Sequence, residues 1–131
     1  MIIAHGVDLV EISSTRRLLD APDSQLLARC FTEAEQTAAG TGPARADRLS
    51  ARLAAKEAVM KALGTGFGEG IGFLQIEVVN LKSGAPTVVL HEAAADRAKA
   101  LGIRSWLVST SHEGDLAIAS VLGIGCQDAN T

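Results

Sequence analysis

The segment from Ala44 to Leu63 constrains the fold more than any other part of the chain. At about 100° per residue, Ala44, Ala51, Ala54, Ala55, Ala58 and Ala62 fall on one arc, and Leu49, Leu53, Val59, Met60 and Leu63 fill much of the opposite side. Such a helix is apolar on two faces. It must be covered by the rest of the chain, or in part by another subunit, and Gly64 stands where a C′ glycine would end it. An alanine arc also lets a second backbone approach very closely. Arg45, Arg48, Arg52 and Lys56 form a basic stripe over the first turns, and Glu57 and Lys61 lie together at the border, one turn apart.

The flanking segments say what can cover this helix. Residues 2 to 12 are β-branched and roughly alternating, as in a strand, with Gly6 allowing a bulge or a close approach. Asp8 then sits inside a strand, where a solvent-facing or turn-capping carboxylate is the simplest account from this segment alone. Residues 13 to 30 read as two short helices or a kinked one, interrupted at Ala21-Pro22-Asp23. Thr32 and Glu35 fit a capping box for the next helix, and residues 39 to 43 form a loop. Strands are expected near 74–80 and 87–90, a helix over 91–101 ended by Gly102, and a hairpin of strands 105–110 and 116–124 flanking Ser111-His112-Glu113-Gly114-Asp115. This order predicts an α+β fold, a mainly antiparallel sheet packed against one long buried helix and shorter helices. With 131 residues the chain is one domain, residues 1–125, followed by a frayed tail over 126–131.

Composition removes several functions. Hydrophobic residues make up 47% and charged residues 21%, an ordinary globular balance. The aromatics are Phe31, Phe67, Phe73 and Trp106 with no Tyr, which leaves no stacking platform for single-stranded nucleic acid. A net charge of −3 argues against a general polyanion binder, so phosphate recognition would need a local basic cluster. Cys30 and Cys126 have no metal-ligand spacing and are expected to be reduced. No apolar run reaches membrane-spanning length and the start lacks a secretory pattern, so a cytoplasmic protein is expected, with no membrane or nucleic-acid partner.

The candidate chemistry gathers in three places. The glycine-rich stretch from Gly64 to Gly72 follows a helix and lacks Gly-Lys-Ser/Thr, so it is neither a Rossmann turn nor a P-loop; a plain connection is the simpler account. Glu57 and Lys61 beside that stretch suit a divalent cation and a phosphate, because Mg²⁺ takes hard oxygen ligands and Lys supplies a compact charge. One Glu is not a metal site, and Asp8 is the best second carboxylate. His112 ends an apolar strand, where a lone His is more often only exposed. An esterase triad of Ser111, His112 and Asp115 is remote, since near neighbours in sequence cannot orient on one another and no Gly-x-Ser-x-Gly is present.

Three segments taken together go further: Gly6-Val7-Asp8-Leu9-Val10-Glu11-Ile12, Arg52-Leu53-Ala54-Ala55-Lys56-Glu57-Ala58 continuing to Lys61-Ala62-Leu63-Gly64-Thr65-Gly66, and Val108-Ser109-Thr110-Ser111-His112. In order and spacing they resemble the short holo-acyl-carrier-protein synthases, the 4′-phosphopantetheinyl transferases of fatty-acid synthesis, and Phe31-Thr32-Glu33-Ala34-Glu35 matches that family's Phe-Thr-x-x-Glu. Leu53 stands where the family often has an aromatic residue. The resemblance implies Mg²⁺-dependent transfer of the phosphopantetheine arm of coenzyme A to a serine of an acidic apo-acyl-carrier protein, releasing 3′,5′-ADP. It implies Asp8 and Glu57 as magnesium ligands and Lys61 as a phosphate partner. Arg52, Gly64, Gly66, Ser111 and His112 would line the coenzyme A site. Arg45 and Arg48 suit the 3′-phosphate or the carrier, and Arg16 and Arg17 suit the carrier. The general base stays open between Glu57, His112 and a metal-bound water. The resemblance further implies a homotrimer with sites between subunits. A non-catalytic carrier-protein or nucleotide-binding module on the same fold is the alternative, which the paired carboxylates disfavour.

Overall fold

Alternation in the first dozen residues does produce a strand. The computed structural model describes residues 1–65 and 70–126. Strand β1 (Ile2–Glu11) leads into α1 (Ile12–Asp20), α2 (Leu26–Cys30) and α3 (Glu33–Ala39), then the long α4 (Arg45–Leu63). After a 3-10 turn at Phe73–Gln75 come β2 (Ile76–Asn80), β3 (Pro86–Leu90), α5 (Glu92–Ala100), β4 (Ile103–Glu113) and β5 (Leu116–Gly125). Strands β1, β5 and β4 form an antiparallel three-stranded sheet in that order, and β2 pairs with β3 in a separate hairpin. The architecture is α+β, with α4 held between the two sheets.

Helix α4 is buried on both faces within this one chain. On one side Ala54, Ala55 and Ala58 are sealed against Ala119 and Val121 of the sheet; on the other, Val59, Met60 and Leu63 meet Ile76, Val78, Val88 and Ala98. Leu49 packs with Cys30, Phe31 and Ala39. No second subunit is needed to cover it. A Cβ on Gly6 would stand 2.0 Å from the Ala58 carbonyl oxygen, so only glycine lets β1 lie this close to α4. The helix ends as expected, with Gly64 at φ +76° donating to the Met60 and Lys61 carbonyls.

The end of β4 differs from the sequence expectation in a way that matters. Strand β4 runs on through Ser111, His112 and Glu113, and the turn to β5 is only Gly114-Asp115, with Gly114 at φ +59°. Polar residues at the end of an edge strand look like a loop in sequence, because β propensity measures packing that an edge position lacks. Asp115 is occupied elsewhere: its carboxylate accepts from the Ser13 amide at 2.8 Å and the Ser13 hydroxyl at 2.5 Å, capping α1 where Glu11 makes no cap. The capping box at Thr32 and Glu35 forms as read. Residues 127–131 of the expected tail, and Gly66 among the expected site residues, lie outside the described residues.

Candidate active site

The sheet register brings the separated motifs onto one face. Residues directly opposite in an antiparallel sheet share a face, so Asp8 of β1, Ala119 of β5 and Thr110 of β4 form one row facing α4. Val10, Ala117 and His112 form the next such row. Ser111, one residue from His112, lies in the row of Leu9 and Ile118 on the opposite face. The serine and histidine at this strand end are therefore not brought together, which removes the remote triad.

Asp8 meets the end of α4. Its Oδ1 accepts from the Lys61 ammonium at 2.6 Å, and Lys61 also donates to the Val7 carbonyl at 3.1 Å. Lys61 thus pairs across to the strand. Asp8 Oδ2 is buried and, with the carboxyls ionised, has no donor among the described residues. Burial, then the hydrogen bond to Asp8 and the Asp8 charge, push the Glu57 carboxyl up to about 8, with Lys61 opposing. Burial also raises Asp8, but the hydrogen bond to Glu57 and the Lys61 ammonium outweigh it and the net shift is downward. Two carboxyl groups forced together with one oxygen left over behave as an anionic pair held short of a cation, and a proton on Glu57 relieves the repulsion. No third His, Cys, Asp or Glu joins them among the described residues. The donor set fits a hard cation that keeps several waters and substrate oxygens, as Mg²⁺ does.

A cavity of about 330 Å³, which neither carboxyl lines, lies between α4, the β2–β3 turn and β4, lined by Arg48, Arg52, Asn80, Thr110 and His112 among others. Arg52 Nη1 donates to the Arg48 carbonyl at 3.3 Å, while its Nε is buried without a partner. Burial lowers the Arg52 guanidinium from its usual value; Glu35 opposes this and the Arg48 charge adds to it. A guanidinium so placed gains from an anion. Asp47, at the rim, faces Arg16 at 3.7 Å.

Lys56 departs from the expected basic stripe. Its ammonium is fully buried and bonds Glu35 Oε1 at 2.7 Å, the Phe73 carbonyl at 2.9 Å and the Ile76 carbonyl at 2.7 Å. Glu35, equally buried, accepts from the Thr32 amide at 2.9 Å and the Val78 amide at 2.9 Å. Sequence reasoning saw Glu35 only as a capping residue. The available signal was angular: Lys56 falls within the apolar arc of α4, between Leu63 and Leu49, where a charge needs a buried partner.

Residues 4–119 match the model of the 4′-phosphopantetheinyl transferase superfamily. A holo-(acyl-carrier-protein) synthase of Gloeobacter violaceus is 46% identical, with 92% of this chain and 91% of that protein covered. The crystal structure of holo-(acyl-carrier-protein) synthase from Neisseria meningitidis superposes with a TM-score of 0.83 at 28% identity, covering 95% of this chain and 99% of that one. The Bacillus anthracis holo-(acyl-carrier-protein) synthase in complex with CoA (3′,5′-ADP) gives 0.79 at 30% identity, covering 96% and 99%. With the carboxylate pair, the basic cavity and these likenesses together, the chain belongs to the 4′-phosphopantetheinyl transferase superfamily.

Proposed function

We propose that this protein is a holo-acyl-carrier-protein synthase. It moves the 4′-phosphopantetheine group of coenzyme A onto a serine of an apo-acyl-carrier protein and releases 3′,5′-ADP. The observation that carries this is the half-buried Asp8–Glu57 pair beside the Lys61 ammonium, with Asp8 Oδ2 shut off from solvent, on the same sheet face as Thr110 and His112 of a basic cavity.

Asp8 and Glu57 would hold Mg²⁺. When bound, the cation supplies Lewis-acid stabilisation of the charge that builds on the pyrophosphate oxygens. Lys61, already 2.6 Å from Asp8, balances the site and offers its remaining donor to a phosphate. Arg48, Arg52 and His112 line the cavity for the nucleotide end of coenzyme A, while Gly64, at the far end of α4, is not among its lining residues. Glu57 and His112 are the side-chain candidates to take the serine proton, and they differ in placement: Glu57 touches the carboxylate centre, His112 the cavity. A non-catalytic binding module would have no use for two carboxyls held together against repulsion.

The outer face of the three-stranded sheet supports self-association. Leu107 is 61% exposed and Leu9 58%, and Val7, Leu116 and Ile118 are exposed with them on the same face. An apolar face of this kind fits a homotrimer, and Ser111 would then line a site completed between subunits. Arg16 and Arg17 on α1 and Arg45 on α4 offer an acidic carrier a basic approach. No helix among the described residues is long and apolar enough to cross a membrane, and a cytoplasmic location with one domain over residues 1–125 accords with this. Chromatography tests the reaction. 3′,5′-ADP should appear only when coenzyme A, Mg²⁺ and apo-carrier are all present, and its appearance without carrier would indicate hydrolysis instead.

A further inference from the structure

The closest contact between α4 and the sheet is made by small residues. Ala54, Ala55 and Ala58 lie against Gly6, Ala119 and Val121, where a Cβ on Gly6 would meet the Ala58 carbonyl. Ridges and grooves normally set how a helix lies on its neighbour. Small residues permit close approach but do little to fix rotation or axial position. Glu57 must nevertheless meet Asp8 closely, because a two-carboxylate cation site tolerates only about 0.5 Å of error.

On the flank away from Asp8, one residue earlier and about 100° round the helix, Lys56 makes three directed bonds. They use all of its donors. Two acceptors are backbone carbonyls, at Phe73 and Ile76. The third is a carboxylate itself fixed by the Thr32 and Val78 amides. The Phe31 ring lies 5.5 Å from the ammonium. Anchors from α3, the 3-10 turn and β2 thus converge on one atom of α4. A buried ion pair is a poor means of stabilising a core, since apolar side chains of similar volume serve as well or better. What it adds is direction. We propose that Lys56 and Glu35 are positioning residues, whose buried pair sets the rotation and height of α4 and thereby holds Glu57 against Asp8 in cation-binding geometry. This rests on Asp8 and Glu57 being the cation's holders.

The test is Mn²⁺ binding by the metal-free protein, without coenzyme A or carrier, followed by the electron paramagnetic resonance of free Mn²⁺. Two variants are compared. Lys56→Met/Glu35→Gln removes both charges together, and Glu35→Asp keeps both but shortens one anchor. Near-ultraviolet circular dichroism checks that each is folded, in buffer and in sucrose. Mn²⁺ affinity should fall about 10- to 100-fold, the usual cost of removing a residue that orients a ligand. Sucrose, which restores folding, should not restore binding. In turnover the Mg²⁺ concentration for half-maximal rate should rise while the KM for coenzyme A stays within about twofold. Affinity within twofold of the unaltered protein in either folded variant, or recovery of affinity in sucrose, overturns the positioning role. Glu57→Gln separates the underlying assignment: if it leaves Mn²⁺ binding unchanged, the carboxylate site is wrong, and the positioning role falls with it.

Discussion

At the scale of single residues, the proposed chemistry would depend on Asp8 and Glu57 sharing one small volume. Asp8→Ala and Glu57→Ala should each lower kcat by on the order of 100-fold or more, as loss of a charge-stabilising group does. Each should also abolish dependence on divalent metal while leaving the native circular dichroism in place, because both side chains are half-buried and lie outside the packed core. The proton on Glu57 gives a pH signature. Its carboxyl sits at about 8 in the folded protein against 4.5 normally, so the native state holds more protons than the unfolded chain between those values. Stability of the metal-free protein should therefore decline as pH rises from 4.5 to 8. Under the proposed assignment a cation would displace that proton, so apparent Mg²⁺ affinity should climb with pH and level off above about 8. Calorimetry in buffers of different ionisation enthalpy would show proton release at pH 7 and none at pH 9; pH-independent affinity would remove the coupling.

At the scale of elements, α4 and its glycine partner decide the fold. Gly6→Ala drives a methyl group into the Ala58 carbonyl, and neither backbone can yield easily. A loss of about 3 kcal/mol, roughly a 10 °C fall in melting temperature by calorimetry, is expected. Unchanged stability would mean that β1 and α4 are not in this contact. Much of this level was legible in the sequence: the two-faced helix, its Gly64 stop, the capping box and the break near Pro22 follow from periodicity and local backbone chemistry. The partner of Lys56 was not, because a buried pair between positions 35 and 56 depends on tertiary register. The extent of β4 was missed for a related reason. Ser111, His112 and Glu113 gain their strand conformation from hydrogen bonds to β5, whereas their own side chains favour a loop. Of the site, Asp8, Glu57 and Lys61 do meet, Arg52 and His112 share a cavity, and Ser111 faces away from both groups.

At the scale of the whole molecule, a small acidic chain carries local cations at its cavity and exposes Leu9, Leu107 and Ile118 on its outer sheet face; under the proposed function the cations would meet coenzyme A and an acidic carrier, and the apolar face a second copy of the chain. Leu9→Glu places a carboxylate at the middle of that face, opposite Ile118. Analytical ultracentrifugation should then report monomers with native circular dichroism, and transfer activity should fall at least about tenfold if, as proposed, the sites are completed between subunits. A variant that sediments as the unaltered protein does would remove the sheet face as the interface. The central claim is tested most directly by intact-mass spectrometry of an apo-acyl-carrier protein incubated with this enzyme, coenzyme A and Mg²⁺. The carrier should gain the mass of one phosphopantetheine group, and the gain should vanish on chelation of the metal or in Glu57→Ala. A carrier left at its starting mass, in a mixture where a known transferase modifies it fully, would contradict the account.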